Sequence, residues 1–107
     1  EYDGITGVMK LAHAAEGLGI DIELHGPGPA QRQCMAAIRN TNYYEMGLVH
    51  PNVPSHSNFS AYADGYSDTL HDVDNKGHVL VPNGPGLGVQ LDWDYIKKRR
   101  TGFEEYK

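Results

Sequence analysis

Two acid–base side chains, His25 and Glu45, stand where the sequence pattern predicts chemistry. His25 follows the run 20–24, in which apolar and polar residues alternate, and it precedes two Gly-Pro pairs. Alternation of this kind predicts a strand with one buried face, and glycine with proline ends such a strand. We therefore expect His25 at the carboxyl end of a strand, where α/β folds carry their ligand sites. An imidazole in that position can act as a general acid or base near neutral pH.

Glu45 interrupts a second short apolar run, residues 43–49. A carboxylate inside an apolar strand is costly unless it faces a polar site or is protonated. Because Tyr44 and Met46 flank it, we expect the pKa of Glu45 to be raised enough for the side chain to stay protonated and donate a hydrogen bond. The alternative is an exposed glutamate on an edge strand.

The composition is that of an ordinary globular chain, and it excludes several functions. The chain has 107 residues, of which 39% are hydrophobic, and a formal net charge of −5. It has no basic field to attract nucleic acid or an anionic membrane, and no apolar run approaches the roughly 20 residues that cross a bilayer. The single cysteine, Cys34, allows no internal disulfide and fits a reducing compartment. We expect a cytoplasmic protein without a signal peptide, in which Cys34 is a small buried residue.

Helical and extended periods alternate along the first half of the chain. The predicted elements are a helix over 4–18 with Thr6 as N-cap, the strand that ends at His25, a helix over 29–39 and a strand over 43–49. Gly17 or Gly19 should end the first helix, and Pro29 should begin the second, with Arg32 on its polar face. The order of helix, strand, helix and strand indicates βα repeats and a parallel sheet, although two strands alone do not make such a sheet stable.

After residue 50 the composition changes, and we divide the chain there into units 1–50 and 51–107. Residues 52–74 are rich in Asn, Ser, Tyr and Asp without a steady period, which predicts a long surface loop. Short strands are predicted over 78–81 and 89–91. Asp92 should cap a terminal helix that ends in a basic cluster, where positive charge suits a helix C-terminus.

Together these segments resemble the C-terminal end of the mandelate racemase branch of the enolase superfamily. The resemblance is carried by the order of five segments: residues 4–7, the strand ending in His25, the strand carrying Glu45, the turn 82–88, and Asp92-Trp93. Within that branch, residues 37–45 and 84–88 are similar to the acid-sugar dehydratases.

This resemblance implies an α/β fold, namely the last quarter of a (β/α)8 barrel. Its sixth helix would be 4–18, its seventh strand 20–25, its seventh helix 29–39 and its eighth strand 43–49. Residues 51–107 would form a C-terminal extension that packs on a capping domain. A complete barrel takes roughly 250 residues, so the implied partners are the remainder of the barrel and the capping domain, in a full-length homo-oligomer.

The resemblance also implies roles for the two side chains. His25 takes the place of the general acid/base that ends the seventh strand. Glu45 takes the place of the glutamate that donates a hydrogen bond to the substrate carboxylate as it becomes an enediolate. The implied cofactor is Mg²⁺, whose ligands lie on the third to fifth strands, and a catalytic lysine lies on the second; this chain contains none of these. The aspartate that partners the histidine belongs upstream of residue 1, and we do not assign its role to Asp3.

The function implied for the full-length enzyme is dehydration of a sugar acid by α-proton abstraction, enediolate formation and β-elimination of water. This chain alone is expected to be inactive. One alternative is a racemase or cycloisomerase of the same superfamily, and another is an incomplete, non-catalytic fragment that acts only by association with other chains. A third is a metal site of His50, His56, His71 and His78, although their spacing matches no compact ligand motif.

Overall fold

Helices are the regular elements of the part of the chain that the structure describes. The computed structural model describes residues 4–46, 52 and 61–105. The described elements are α1 (Gly4–Gly17), α2 (Pro29–Ala37), a 3-10 helix (Leu70–Asp72) and α3 (Trp93–Arg99). Within these described ranges, no helix has the length and apolar character needed to span a bilayer.

Helix α1 confirms the first predicted helix and ends one residue earlier than expected. Its stop is a Schellman motif, in which the amide of Gly19 donates to the carbonyl of Glu16 at 3.0 Å and the amide of Ile20 donates to that of Ala15 at 2.9 Å. Gly19 has a φ of 71°, a conformation that favours glycine. The predicted N-cap is wrong, because α1 already begins at Gly4 and Thr6 lies inside it.

Helix α2 confirms the second predicted helix, with Pro29 in its first turn, but it ends at Ala37 rather than at residue 39. The buried hydrophobic core of the described residues consists of Ala12 and Ala15 on α1, Cys34 on α2 and Ile38 directly after it. The buried position predicted for Cys34 is confirmed, and burial raises the pKa of its thiol. Four such side chains make a small core, so polar contacts must fix much of the remaining chain.

The two strands predicted before His25 and around Glu45 do not form in the described residues. Residues 20–25 and 41–46 have no regular secondary structure, and residues 47–49 lie outside the described range. At the start of the second segment the Glu23 carboxylate accepts from the amides of Asn42 at 2.9 Å and Tyr43 at 3.1 Å. These two backbone donors therefore bond to a side chain and not to a strand partner. The barrel architecture therefore stays a prediction.

Asn40 holds the segment 20–25 beside α1. Its backbone carbonyl accepts from the amide of Ile22 at 2.8 Å. Its buried side-chain amide donates to the carbonyls of Ala12 at 3.2 Å and Ile20 at 2.9 Å. The segment that ends at His25 therefore keeps its place through one buried asparagine instead of a sheet.

The predicted strands of the C-terminal half are reduced to single bridges. Val79 pairs with Val73, and Leu91 pairs with Tyr62, both antiparallel. The terminal helix is confirmed as α3, with its predicted N-cap: the Asp92 carboxylate accepts from the amide of Tyr95 at 2.8 Å. The boundary predicted between residues 50 and 51 lies outside the described residues.

Arg32 of α2 fixes the C-terminal half to the helix pair. One Nη of its guanidinium donates to the carbonyl of Leu80 at 2.8 Å, and the other donates to the carbonyl of Ser67 and to Oδ1 of Asp68, at 2.8 and 2.7 Å. Arg32 is only 5% exposed and Asp68 is 0% exposed. Arg32 was expected on the polar face of α2, and the structure shows that the C-terminal half buries it there.

The turn 82–88 docks on α2 beside Arg32. The side-chain amide of Gln33 donates to the carbonyls of Pro82 at 2.6 Å and Leu87 at 3.2 Å. Gly88 is required here, because its φ is 75° and a Cβ at this position would lie 2.6 Å from Cβ of Pro82. The glycine-rich turn is thus a docking segment for the second half of the chain.

We predict that the buried pair dominates the stability of this contact. Asp68→Ala leaves the Arg32 charge buried without its partner, which typically costs about 3–5 kcal/mol. Glu16→Ala is the matched control, since Glu16 pairs with an exposed arginine, Arg39, at 2.6 Å, and exposed pairs contribute about 0.2–1 kcal/mol. Urea unfolding followed by far-UV circular dichroism measures both variants, and equal losses would contradict this account.

Candidate functional site

The two side chains singled out in the sequence meet in the structure. Nδ1 of His25 lies 2.9 Å from Oε2 of Glu45, and the backbone amide of Gly26 donates to the same oxygen at 3.0 Å. The imidazole is 78% exposed and the carboxylate 43% exposed. The pair therefore lies on the surface. Its geometry is defined by Nδ1 of His25, Oε2 of Glu45 and the amide nitrogen of Gly26.

The protonation expected for Glu45 is wrong. The carboxylate is exposed, and its pKa is lowered, chiefly by the hydrogen bond from the Gly26 amide and further by the hydrogen bond and charge of His25. An ionised carboxylate can only accept hydrogen bonds. The proton shared by the pair must therefore sit on Nδ1 of His25, which leaves Nε2 facing outward for other partners.

The turn 26–28, which follows His25, is held at both ends by hydrogen bonds to side chains of the segment 43–46. Gly26 has a φ of 83°, and its amide donates a hydrogen bond to the Glu45 carboxylate, as described above. Gly28 donates its amide to the hydroxyl of Tyr44 at 2.7 Å. Neighbouring side chains of the segment 43–46 thus hold successive glycines of the turn, and His25 takes its position from that turn.

A cavity of about 370 Å³ opens beside His25, between α1 and α2. Its polar or ionisable lining residues are Glu23, His25, Gln31 and Cys34, and its apolar lining comes mainly from Ile5, Val8, Leu11 and Leu24. Because α1 also leaves Ile5 and Leu11 largely exposed, the cavity continues into an apolar surface. His25 therefore lies between a carboxylate partner and an apolar cleft.

The described residues do not offer a metal site. Among them, no group of three or more His, Cys, Asp or Glu side chains could hold a metal ion. For the histidine alternative, His50 and His56 lie outside the described residues. Nδ1 of His78 lies 3.7 Å from Oδ2 of Asp74, and both side chains are exposed.

Sequence reasoning missed the polar contacts near the site, which join the buried side chains of Arg32 and Asp68 to the half-buried Tyr44 and Tyr66. Arg32 lies three residues after Pro29, and both are buried on α2. Residues three apart lie on the same side of a helix. This spacing of Pro29 and Arg32 was therefore the feature of the sequence that could have indicated a second buried face of α2. Nothing in the sequence paired Arg32 with an aspartate 36 residues away.

The lowered pKa of Glu45 gives a prediction with a definite sign. A carboxyl whose folded pKa lies below its ordinary value of 4.5 contributes stability above that pH and loses it as the pH falls through the folded value. In His25→Ala the pKa of Glu45 should rise yet stay below 4.5, because the Gly26 amide remains. NMR titration of the Glu45 carboxyl carbon measures both values. A full return to 4.5 would show that the Gly26 amide contributes nothing.

Most of the chain matches a known protein family. The family model for enolase C-terminal domain-like proteins matches residues 1–95, which include both His25 and Glu45. Searches of curated proteins and of solved structures found no match. The family fits an α/β fold, whereas the described residues of this chain form helices and single bridges only. The resemblance to the enolase superfamily is thus confirmed: the chain is a C-terminal portion of an enolase-superfamily protein and belongs to the enolase C-terminal domain-like family.

Proposed function

We propose that the chain supplies the acid–base end of a sugar-acid dehydratase active site. His25 exchanges protons with the substrate, and Glu45 holds the imidazole ring. The observation that carries this proposal is the contact of 2.9 Å between Nδ1 of His25 and Glu45, with the Gly26 amide on the same oxygen. Membership of the enolase superfamily supports a catalytic parent enzyme.

The reaction class explains why a histidine is useful here. A proton on the carbon beside a carboxylate is very weakly acidic, so an enzyme must stabilise the enediolate that forms when it leaves. The base takes the α-proton while the electron pair moves into the enediolate. When that pair returns, the C–O bond at the β-carbon breaks, and a proton donor converts the departing hydroxide into water. Imidazole can serve either step, because its protonation changes near neutral pH.

The geometry divides these tasks within the pair. Glu45 accepts the Nδ1 proton and fixes both the tautomer and the direction of the His25 ring. Nε2, on the opposite side of the ring, is then the atom that takes or gives the proton. We propose this positioning role in place of a protonated glutamate; direct contact of Glu45 with a substrate carboxylate stays a prediction.

Members of the enolase superfamily generally use Mg²⁺, which stabilises the negative charge of an enediolate. The described residues do not fit such an ion, since no cluster of suitable ligands exists among them. We therefore assign no step of this chain to a metal, and we propose that the ligands belong to another part of the complete enzyme. The remainder of the barrel, the capping domain, a homo-oligomer and a cytoplasmic location are likewise proposals.

A second candidate function is association without catalysis. The observation that favours it is the exposed apolar surface along α1 and the segment that follows, formed by Ile5, Leu11, Leu18 and Ile20. Large exposed apolar patches mark surfaces that bind other chains. A racemase or cycloisomerase would use the same enediolate, and product analysis of the complete enzyme separates those reactions from dehydration.

In the complete enzyme, His25→Asn should lower kcat by about 10²–10⁴-fold, the usual contribution of a general acid or base. The matched control is His13→Asn, since His13 is an exposed histidine on α1 and should keep its activity. The 107-residue chain alone should show no turnover. The assay follows loss of water from a panel of sugar acids, and near-normal activity of His25→Asn would refute the proposal.

A further inference from the structure

A group of buried and half-buried polar side chains is centred on Asp68. The Tyr44 hydroxyl donates to Oδ1 of Asp68 at 2.5 Å, and the Tyr66 hydroxyl donates to Oδ2 at 2.8 Å. Arg32 also donates to Oδ1, at 2.7 Å. We call these four residues, Arg32, Tyr44, Tyr66 and Asp68, the Arg32 network.

The rings as well as the hydroxyls are fixed in this network. The guanidinium of Arg32 lies 5.1 Å from the ring centroid of Tyr44 and 4.7 Å from that of Tyr66, within the range of cation–π attraction. Burial, together with the hydrogen bond to Asp68, raises the pKa of both tyrosines. Both hydroxyls therefore keep their protons and remain donors across the ordinary pH range.

Tyr44 connects this network to the exposed pair. Its hydroxyl accepts the Gly28 amide at 2.7 Å while donating to Asp68. The next residue, Glu45, accepts the Gly26 amide and contacts His25. Tyr44 and Glu45 are adjacent in the chain, so the contacts that hold the Tyr44 side chain also restrict where the side chain of Glu45 begins.

We propose that Tyr44, Tyr66 and Asp68 are positioning residues, which set the distance between His25 and Glu45 by holding the turn 26–28 against the segment 43–46. This inference rests on the proposed function, in which that distance matters. It extends the site to the C-terminal half, because Asp68 and Tyr66 lie there. The geometry of the acid–base pair then depends on the docking of that half on α2.

The test uses the 107-residue chain and two phenylalanine variants. Tyr44→Phe removes one hydroxyl from the network and leaves the ring over Arg32. Tyr43→Phe is the matched control, because Tyr43 is the preceding residue and is 81% exposed. NMR measures two properties of the pair that a merely structural role would not move: the pKa of the Glu45 carboxyl and hydrogen exchange at the Gly26 amide.

In Tyr44→Phe the pKa of Glu45 should rise toward its ordinary value. Exchange at the Gly26 amide should accelerate about fivefold to tenfold more than exchange at the amides of α1, an effect of the size of one hydrogen bond. Tyr43→Phe should change neither property. Normalisation to α1 removes any general loss of stability. If Tyr44→Phe does not fold, Tyr66→Phe gives the same comparison, because it removes the other hydroxyl donor to Asp68 and leaves the Arg32–Asp68 ion pair in place.

The proposal is overturned if the Glu45 pKa and the normalised Gly26 exchange are the same in Tyr44→Phe as in Tyr43→Phe. That result would leave the proposed function intact, since it concerns only what holds the pair. Failure of the proposed function has a different signature, namely normal turnover of the complete enzyme after His25→Asn.

Discussion

The ion pair between Arg32 and Asp68 is the constraint on which the rest of this structure depends. Both partners are buried, with 2.7 Å between Nη2 and Oδ1. Removing two charges from water is costly, and their attraction offsets that cost only if the other donors and acceptors are also satisfied. Here two tyrosine hydroxyls and two backbone carbonyls complete most of the set. Among the described residues the Nε of Arg32 has no hydrogen-bond partner, so they leave part of the cost without compensation.

This pair matters because the apolar core is too small to fix the chain by itself. The buried hydrophobic core of the described residues comes from α1, α2 and the residue that follows α2, and none of it comes from the C-terminal half. Contacts from Arg32 and Gln33 therefore decide where that half lies. The exposed contact between His25 and Glu45 contributes little stability, as exposed pairs generally do. Its geometry must come from the backbone around it, and through Tyr44 that backbone is connected to Asp68.

Local features of the fold could be predicted from the sequence because their causes are local. The apolar spacing of α1, its glycine stop, Pro29 at the start of α2 and the Asp92 cap each depend on neighbouring residues. The strand before His25 was predicted from alternation and the strand around Glu45 from a short apolar run, but a strand also needs a partner, and the amides of Asn42 and Tyr43 bond to the Glu23 carboxylate. The family was recognised from the order of several segments, and the match over residues 1–95 confirms it.

Two features of the site were beyond the reach of the sequence for the same physical reason. The pKa of Glu45 was expected to be raised by its apolar neighbours, whereas the Gly26 amide, 19 residues away along the chain, lowers it. Arg32 looked like a solvated helix residue, and its partner lies 36 residues away in an irregular loop. Both depend on contacts between distant segments, which periodicity and composition do not encode.

The most direct test of the central claim is to find which ring nitrogen of His25 carries the proton that faces Glu45. A long-range ¹H–¹⁵N NMR spectrum of the histidine rings, recorded near neutral pH, distinguishes the two nitrogens. An ionised Glu45 at 2.9 Å requires a protonated Nδ1, and its ¹⁵N signal should change in Glu45→Gln. A His25 ring protonated only at Nε2, with a spectrum unaffected by Glu45→Gln, would contradict the account.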